Sequence, residues 1–269
     1  MSTIYNTSIV RDNLILHYDA ANVKSYPGSG AIINNLAPNK TYGARIAGSN
    51  ITFSSSENAF SNNTAGGASN VTDGIYIEGL NYVNGSADAV SNMTVECWCK
   101  SKSGSSGNTG DQRIILSFDR SAVFRFSIGA DGASISAAAA GKPSLMWVNG
   151  TNDAIIDNYA DTYSGDLRDN KFHQVAVTFT TSRVKYYIDG ICVDTHTGSW
   201  SALSNHTGEP ETPRFGWIGN GSEAETAGGV INPPGLFYGS IANFKYYYKT
   251  LSDVEMKQNF DALKGRFGI

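Results

Sequence analysis

The sequence predicts an all-β sandwich of two antiparallel sheets that ends in one short α-helix. The first observation is the stretch 171–198, where apolar side chains alternate along two strands around a polar turn. The second is a series of short apolar runs separated by turns rich in glycine and asparagine. Such runs and turns are typical of the strands of a sandwich. The third is a change in the spacing of the apolar residues, which recur at the period of a helix after residue 251.

The strand pair in residues 171–198 has the clearest pattern. Strands are predicted at 175–180 and 184–193, on either side of the turn Thr181-Ser182-Arg183. Because successive side chains of a strand point to opposite faces, each strand is expected to have one buried and one solvent-facing side. The pair Asp189-Gly190 favours a second tight turn. The side chains expected on the buried face are Val175, Val177, Phe179, Val184, Tyr186 and Ile188.

Further strands are predicted where apolar runs are bounded by Gly, Asn or Ser. The first begins at Leu14. The last, 239–248, is expected to place Ile241 on one face and Phe244, Tyr246 and Tyr248 on the other. The other strands are predicted at 74–80, 93–100, 113–118, 123–128, 145–148 and 214–219, and loops at 54–72, 101–111 and 220–235.

The C-terminal pattern predicts a helix at about 252–264. Ser252 and Glu255 fit a capping box, in which each side chain binds a backbone amide of the first turn. Met256, Phe260 and Leu263 repeat at helical spacing. We therefore expect an N-terminal arm at 1–12 and a sandwich domain at 13–269 that includes this helix. The helix is expected to end at Gly265.

Composition limits the classes of partner. The chain has 269 residues, of which 41% are hydrophobic, so one domain can bury a sizeable core. The net charge is −4 and there is no basic run, so we expect no nucleic-acid partner. No apolar run approaches the roughly 20 residues that cross a bilayer, so no membrane insertion is expected. The N-terminus lacks the pattern of a signal peptide.

Two cysteines lie close together in a predicted strand. Cys97 and Cys99 are two residues apart and share a face with Val95. No further ligands follow at zinc-like spacing, so both are expected to be small buried hydrophobic side chains.

Several of these segments resemble a known family. One segment reads Phe172-His173-Gln174-Val175-Ala176-Val177-Thr178-Phe179, followed by a turn and then by Val184 to Gly190. It resembles the central hairpin of concanavalin A-like lectin/glucanase domains of the laminin-G-like kind. These domains are jelly rolls. The opening 14–30 resembles the start of such domains in structural proteins of tailed bacteriophages. The ending 247–269 is similar to that of many tailed-phage virion proteins, especially of cyanophages.

The resemblance implies a virion structural protein, either a capsid decoration or a fibre or tail component. Such a protein is assembled in the host cytoplasm and located in the virion, and its lectin-like domain adheres to host surface glycans. Its partners would be other virion proteins, further copies of itself as a homo-oligomer, and host surface polysaccharide. The arm 1–12, the segment 246–248 and the end 265–269 offer apolar surface for assembly.

Two alternatives remain, since the same fold also includes glycoside hydrolases. Retaining glycosidases need two carboxylates about 5 Å apart. The sequence contains no Glu-x-Asp-x-Glu run. Glu223 and Glu225 lie in a glycine-rich loop, and Glu96 stands alone in its strand. His173 is expected to be a hydrogen-bonded structural residue. We therefore expect no enzymatic activity. The other alternative is an assembly subunit that binds no ligand.

Sugar-binding candidates are aromatic side chains with a polar neighbour, since sugars stack their apolar face on a ring. Glu96 and Trp98 share a strand face that we expect to point outward. In a sandwich, however, aromatic side chains often fill the core instead. The other candidates, in or near expected loops, are Trp147, Tyr159, Tyr163, Trp200 and Trp217.

The resemblance also makes calcium a possible cofactor, because laminin-G-like domains often hold one. Calcium needs six to eight oxygen ligands. The aspartates in expected loops show no spacing of a known binding loop, so no ligand set is assigned to them. They are Asp111, Asp119, Asp131, Asp153, Asp157, Asp161 and Asp166.

Overall fold

The structure is a computed structural model that describes residues 8–62, 73–82, 91–103, 113–118, 124–129, 140–148, 154–200, 214–221 and 236–269. Its first eight strands are β1 (Leu14–Asp19), β2 (Ile32–Ile33), β3 (Ala44–Ala47), β4 (Ile51–Ser54), β5 (Ala59–Asn62), β6 (Gly74–Tyr82), β7 (Asn92–Ser101) and β8 (Arg113–Ser117). The next eight are β9 (Phe124–Ile128), β10 (Pro143–Val148), β11 (Ala154–Tyr159), β12 (Phe172–Thr180), β13 (Arg183–Ile188), β14 (Ile191–Thr197), β15 (Arg214–Ile218) and β16 (Gly239–Tyr247). The helix α1 follows at Asp253–Leu263.

The strands form two antiparallel sheets, which confirms the predicted sandwich. Sheet A has the order β14-β13-β12-β7-β16-β5-β4, with β1 also paired to β16. Sheet B has the order β11-β10-β9-β8-β15-β6-β3-β2. The middle of sheet A is therefore built from β12, β7 and β16, which come from three distant parts of the sequence.

The main core contains side chains of both sheets. Val175, Val177 and Phe179 of β12 belong to it, as do Val184, Tyr186 and Ile188 of β13. Cys97 and Cys99 lie in the same cluster as Val95, so the prediction that they are buried is confirmed. Asp189 and Gly190 both have positive φ, 51° and 77°, as a tight hairpin between β13 and β14 requires.

Helix α1 covers the other face of sheet A. Its capping box between Ser252 and Glu255 is present as predicted. Met256 packs in a second cluster with Ala176, Tyr187 and Tyr247. The expectation of one solvent-facing side is therefore wrong for β12 and for Tyr187 of β13, because the helix buries the face that alternation alone assigns to solvent. The helix ends at Leu263, and a 3-10 turn, Lys264–Phe267, continues it past Gly265.

Three strand predictions differ from the structure. The strand predicted at 184–193 is two strands, because β13 ends before the turn Asp189-Gly190 and β14 begins after it. The expected loop 54–72 contains β5, whose four residues are all buried. In β16 the register shifts between Ile241 and Asn243. This bulge turns the later side chains over, so Ile241, Phe244 and Tyr246 all belong to the main core instead of lying on opposite faces. Tyr246 and Tyr247 are buried and offer no apolar surface for assembly.

The described part of the predicted arm, residues 8–12, lies against α1. The Val10 amide donates to Asn259 Oδ1 at 2.7 Å, and the Tyr247 hydroxyl donates to the Val10 carbonyl at 3.2 Å. Lys249 forms an ion pair with Asp12 at 3.0 Å. Residues 1–7 lie outside the described residues. Among the described helices, none has the length and apolar character that crossing a bilayer requires.

Candidate ligand-binding site

Glu96 and Trp98 share a face, but that face does not point to solvent. Both side chains are 0% exposed. The rings of Phe260 and Phe267 stack on Trp98, with centroids 5.6 and 4.3 Å away. The predicted outward orientation is therefore wrong, because the C-terminal segment packs on the side of sheet A opposite the main core. Strand alternation cannot reveal such a cover.

The Glu96 carboxylate lies at the centre of a buried polar network. One oxygen accepts from Lys245 Nζ at 2.7 Å and from Gln174 Nε2 at 2.9 Å. The other accepts from Asn259 Nδ2 at 2.6 Å. The Lys245 side chain is also completely buried. The network therefore joins β7, β12 and β16 to α1.

The other predicted aromatic residues are not brought together with Trp98. Trp147 and Trp217 are buried in sheet B strands; Trp147 packs edge-on against Phe179, and Trp217 packs against Tyr76. Both lie in the strands that the sequence predicts at 145–148 and 214–219 and fill apolar space, so the expectation that they are accessible beside loops is wrong. Tyr159, Tyr163 and Trp200 are half-buried, so a sugar contact at these three positions stays a prediction.

An open pocket lies where β12 begins and the chain ends. We call it the tail pocket; it has a volume of about 420 Å³ and is lined by Lys100, Asn170, Lys171, Phe172, His173, Asp189, Phe267, Gly268 and Ile269. The rings of Phe172 and Phe267 have centroids 4.9 Å apart and meet at 41°. Lys100 Nζ lies 5.5 Å from the Phe172 centroid, and its ammonium is paired with Glu57. Half-buried rings therefore adjoin charged and amide groups in one pocket.

The polar wall of the tail pocket is held by hydrogen bonds of Asp189. Its carboxylate accepts a hydrogen bond from the backbone amide of Gln174 at 2.9 Å and contacts His173 Nδ1 at 2.8 Å. His173 Nε2 lies 3.4 Å from Asp169. The hydrogen bond to Asp189 raises the pKa of His173 above its usual value near 6.5, although burial opposes this shift. The side chain expected to be structural is hydrogen-bonded as predicted, and it also lines the pocket.

This geometry predicts a pH-dependent contribution of His173 to stability. Because its folded pKa is raised, its stabilising effect is complete below pH 6.5 and is lost as the pH rises through the folded pKa. His173→Gln should therefore destabilise the protein at pH 5.5 more than at pH 9, as measured by urea denaturation at both values. An equal loss at both pH values would contradict the charged pair with Asp189.

A second open pocket, the hairpin groove, lies between β12, β13 and the start of α1. It has a volume of about 540 Å³ and is lined by Thr178, Thr180, Arg183, Lys185, Tyr187, Thr250, Leu251, Ser252, Asp253 and Val254. Lys185 Nζ and the Tyr187 hydroxyl both bind Asp253, at 2.8 and 2.7 Å. The Tyr187 ring is buried, so this groove offers no aromatic face.

Among the described residues, one group of side chains has atoms close enough to share a metal ion: Asp161, Asp194 and His196. His196 Nε2 lies 3.0 Å from the Tyr159 carbonyl, which makes this nitrogen a donor to that oxygen. Two carboxylates and one imidazole fall short of the six to eight oxygens that calcium needs. The described residues of this group therefore do not fit calcium. Asp111, Asp119, Asp131 and Asp153 lie outside the described residues, and the same holds for the Asp157 side chain.

The fold and its pockets define a β-sandwich of the lectin type, and comparison with known proteins identifies the family. The sequence profile of the concanavalin A-like lectin/glucanases superfamily matches residues 69–257. The chain belongs to this superfamily. No curated protein sequence is significantly similar to it.

Solved structures share the fold at low sequence identity. The binding domain of Paraclostridial Mosquitocidal Protein 1 is 13% identical, with a TM-score of 0.59, and the match covers 94% of this chain and 52% of that chain. The binding domain of Botulinum neurotoxin DC in complex with rat synaptotagmin II gives the same values. The same domain in complex with SialylT gives a TM-score of 0.56 at 13% identity, with the same coverage. The chain thus spans about half the length of these structures.

Proposed function

We propose that this chain is a non-catalytic, lectin-like domain of a tailed-phage virion structural protein that attaches the particle to host surface glycans. The observation that carries the proposal is the tail pocket, where half-buried phenylalanine rings lie beside hydrogen-bonding groups. Such a combination of an apolar surface with a few fixed polar groups is typical of small-ligand sites.

The chemistry of the tail pocket suits a pyranose ring. The Phe172 ring supplies an apolar face for the C–H groups of the sugar. Asp189 accepts hydrogen bonds from hydroxyls, Lys100 and Lys171 donate to them, and Asn170 can do both. Since His173 and Gln174 already hold Asp189, its carboxylate is preorganised before a ligand arrives.

Two observations favour binding over hydrolysis. Glu96 is enclosed by Lys245, Gln174 and Asn259 and leaves no room for a substrate. Asp161 and Asp194 lie within 4.8 Å of each other, but a glycosidase acid needs a raised pKa. Burial would raise the pKa of Asp194, yet the Thr162 amide and other donors hold it below its usual value. Assays of reducing-sugar release from bacterial polysaccharides test the hydrolase alternative.

The virion role rests on the opening 14–30 and the ending 247–269, which resemble tailed-phage structural proteins. In such a particle, many copies of a weak site act together, and multivalency multiplies the affinity of each. Negative-stain imaging of purified particles with an antibody to this chain tests the role. Label at fixed positions of the virion supports it, and particles without label contradict it.

Phe172→Ala is expected to weaken glycan binding at least about tenfold, because it removes the ring on which the sugar stacks. The measurement is a glycan array of bacterial lipopolysaccharide and capsule oligosaccharides, followed by titration calorimetry with the best-bound oligosaccharide. Thermal denaturation confirms that the variant is folded.

The matched control is Arg183→Ala, which removes a charged side chain of the hairpin groove. It should leave the affinity unchanged. If Arg183→Ala abolished binding while Phe172→Ala did not, the ligand would bind in the hairpin groove and the assignment to the tail pocket would be wrong.

A further inference from the structure

Three polar side chains form a row across sheet A beneath the end of the chain. Gln174 of β12 lies opposite Trp98 of β7, and Trp98 lies opposite Asn243 of β16. All three are almost completely buried. Gln174 Oε1, Trp98 Nε1 and Asn243 Oδ1 have no hydrogen-bond partner among the described residues. The row therefore holds two free acceptors and one free donor.

The cover of Trp98, in the middle of this row, is apolar. Phe267 stacks almost parallel on Trp98, at 4.3 Å and 11°, and its ring also contacts Phe172. Phe260 of α1 also stacks on Trp98, with centroids 5.6 Å apart. A phenyl ring offers no hydrogen bond to the amide oxygens or the indole N–H. Buried polar groups without partners are unfavourable. The three unpaired atoms therefore lower the stability of the arrangement in which Phe267 covers Trp98.

Phe267 belongs to the C-terminal tail, residues 264–269, which is attached less firmly than α1. The 3-10 turn Lys264–Phe267 contains no buried residue, and Ile269 is 51% exposed. Apart from the Phe267 ring, the contacts that hold the tail to the described strands and turns are those of Arg266, which binds Asp19 and the Asn58 carbonyl at 2.6 and 2.8 Å. Helix α1, in contrast, is held by Asn259, whose side chain hydrogen-bonds to the Glu96 carboxylate and to the Val10 backbone amide. The tail therefore has fewer described polar contacts with the sheets than the helix has.

We propose that the C-terminal tail is a displaceable cover, and that Trp98, Gln174 and Asn243 form a second, inner part of the glycan site. Phe267 is also a wall of the tail pocket, so its displacement extends the pocket onto the Trp98 ring. A pyranose then takes the place of Phe267 on the indole. Its hydroxyls, which both donate and accept, pair with the three free atoms. This inference rests on the proposed function and adds to it a hydroxyl-rich sugar unit stacked on Trp98.

The test compares glycan affinity with and without the cover. The oligosaccharide best bound on the lipopolysaccharide and capsule array is titrated into the wild-type chain, Phe267→Ala, and a chain ending at Leu263. Because the closed tail competes with the sugar, both variants should bind at least about tenfold more tightly. Trp98→Phe in the Phe267→Ala background should remove the gain, since phenylalanine has no N–H donor. Lys264→Ala removes a tail side chain that pairs with Asp261 of α1 and does not line the tail pocket, so it should give no gain.

A second readout uses the wild-type chain. The indole ¹H–¹⁵N signal of Trp98, assigned by its disappearance in Trp98→Phe, should shift when the same oligosaccharide is added. If the wild-type chain binds but Phe267→Ala and the truncated chain bind no more tightly, the inference fails and the tail pocket alone remains. If no variant binds any oligosaccharide of the array, the proposed function fails and the inference fails with it.

Discussion

Replacement of Lys245 with methionine is expected to lower the free energy of unfolding by about 3–5 kcal/mol. The Lys245 ammonium is paired with Glu96 at 2.7 Å, and both side chains are 0% exposed. Methionine removes the positive charge while filling a similar volume. The carboxylate then stays buried with only the amides of Gln174 and Asn259 as partners. Urea denaturation of wild type and variant at pH 7 measures the difference.

Two controls separate the buried charge from other effects. Lys185→Met removes the ammonium that pairs with Asp253 near the surface, while Tyr187 still binds this carboxylate, and should cost at most about 1 kcal/mol. The double variant Glu96→Gln with Lys245→Met removes both charges and should recover much of the loss, because no uncompensated charge is left. If Lys245→Met cost no more than Lys185→Met, Glu96 and Lys245 would not form a buried pair.

Gly239→Ala is expected to cost about 3–5 kcal/mol, because the new methyl group meets backbone rather than a side chain that can move. Gly239 begins β16 and has a φ of 144°, a conformation that other residues rarely adopt. A Cβ atom there would lie 2.0 Å from the Lys100 carbonyl oxygen. Relief of this clash requires β16 to move away from β7, which disrupts the middle of sheet A.

Gly30→Ala is the matched control for this clash. Gly30 also has a positive φ, 83°, but a Cβ atom there would meet nothing within 4 Å. Its replacement should cost only the strain of the backbone angle, about 1–2 kcal/mol. Thermal and urea denaturation of both variants measure the difference. Equal losses would mean that β16 and β7 are not packed as closely as described.

The sequence predicts the sandwich and its best-defined elements because their signals are local. Alternation places Val177 and Ile188 in the core, and the Asp189-Gly190 turn requires only its own two residues. The capping box at Ser252 likewise depends on residues three positions apart. The strand β5 is not predicted because it has only four residues, which lie between polar neighbours. Its burial comes from pairing with β16 and β4, which no local pattern shows.

The candidate site is harder to predict from the sequence than the fold is. The tail pocket joins Lys100 of β7, the segment 170–173, the turn at Asp189 and the residues 267–269. No spacing along the chain links these four segments. Phe172 and Phe267 both lie in motifs that were identified by resemblance, but only the packing of α1 on sheet A shows that their rings meet. The same packing buries Trp98 and Glu96, the pair that alternation placed at the surface.

The central claim is that glycans bind beside Phe172 and not at the other open surfaces of the sandwich. A crystal structure of the chain soaked with the best-bound oligosaccharide of the array tests this most directly. We expect sugar density against the Phe172 ring and within hydrogen-bonding distance of Asp189, with Glu96 still paired to Lys245. Density in the hairpin groove, beside Arg183 and Ser252, would contradict this account.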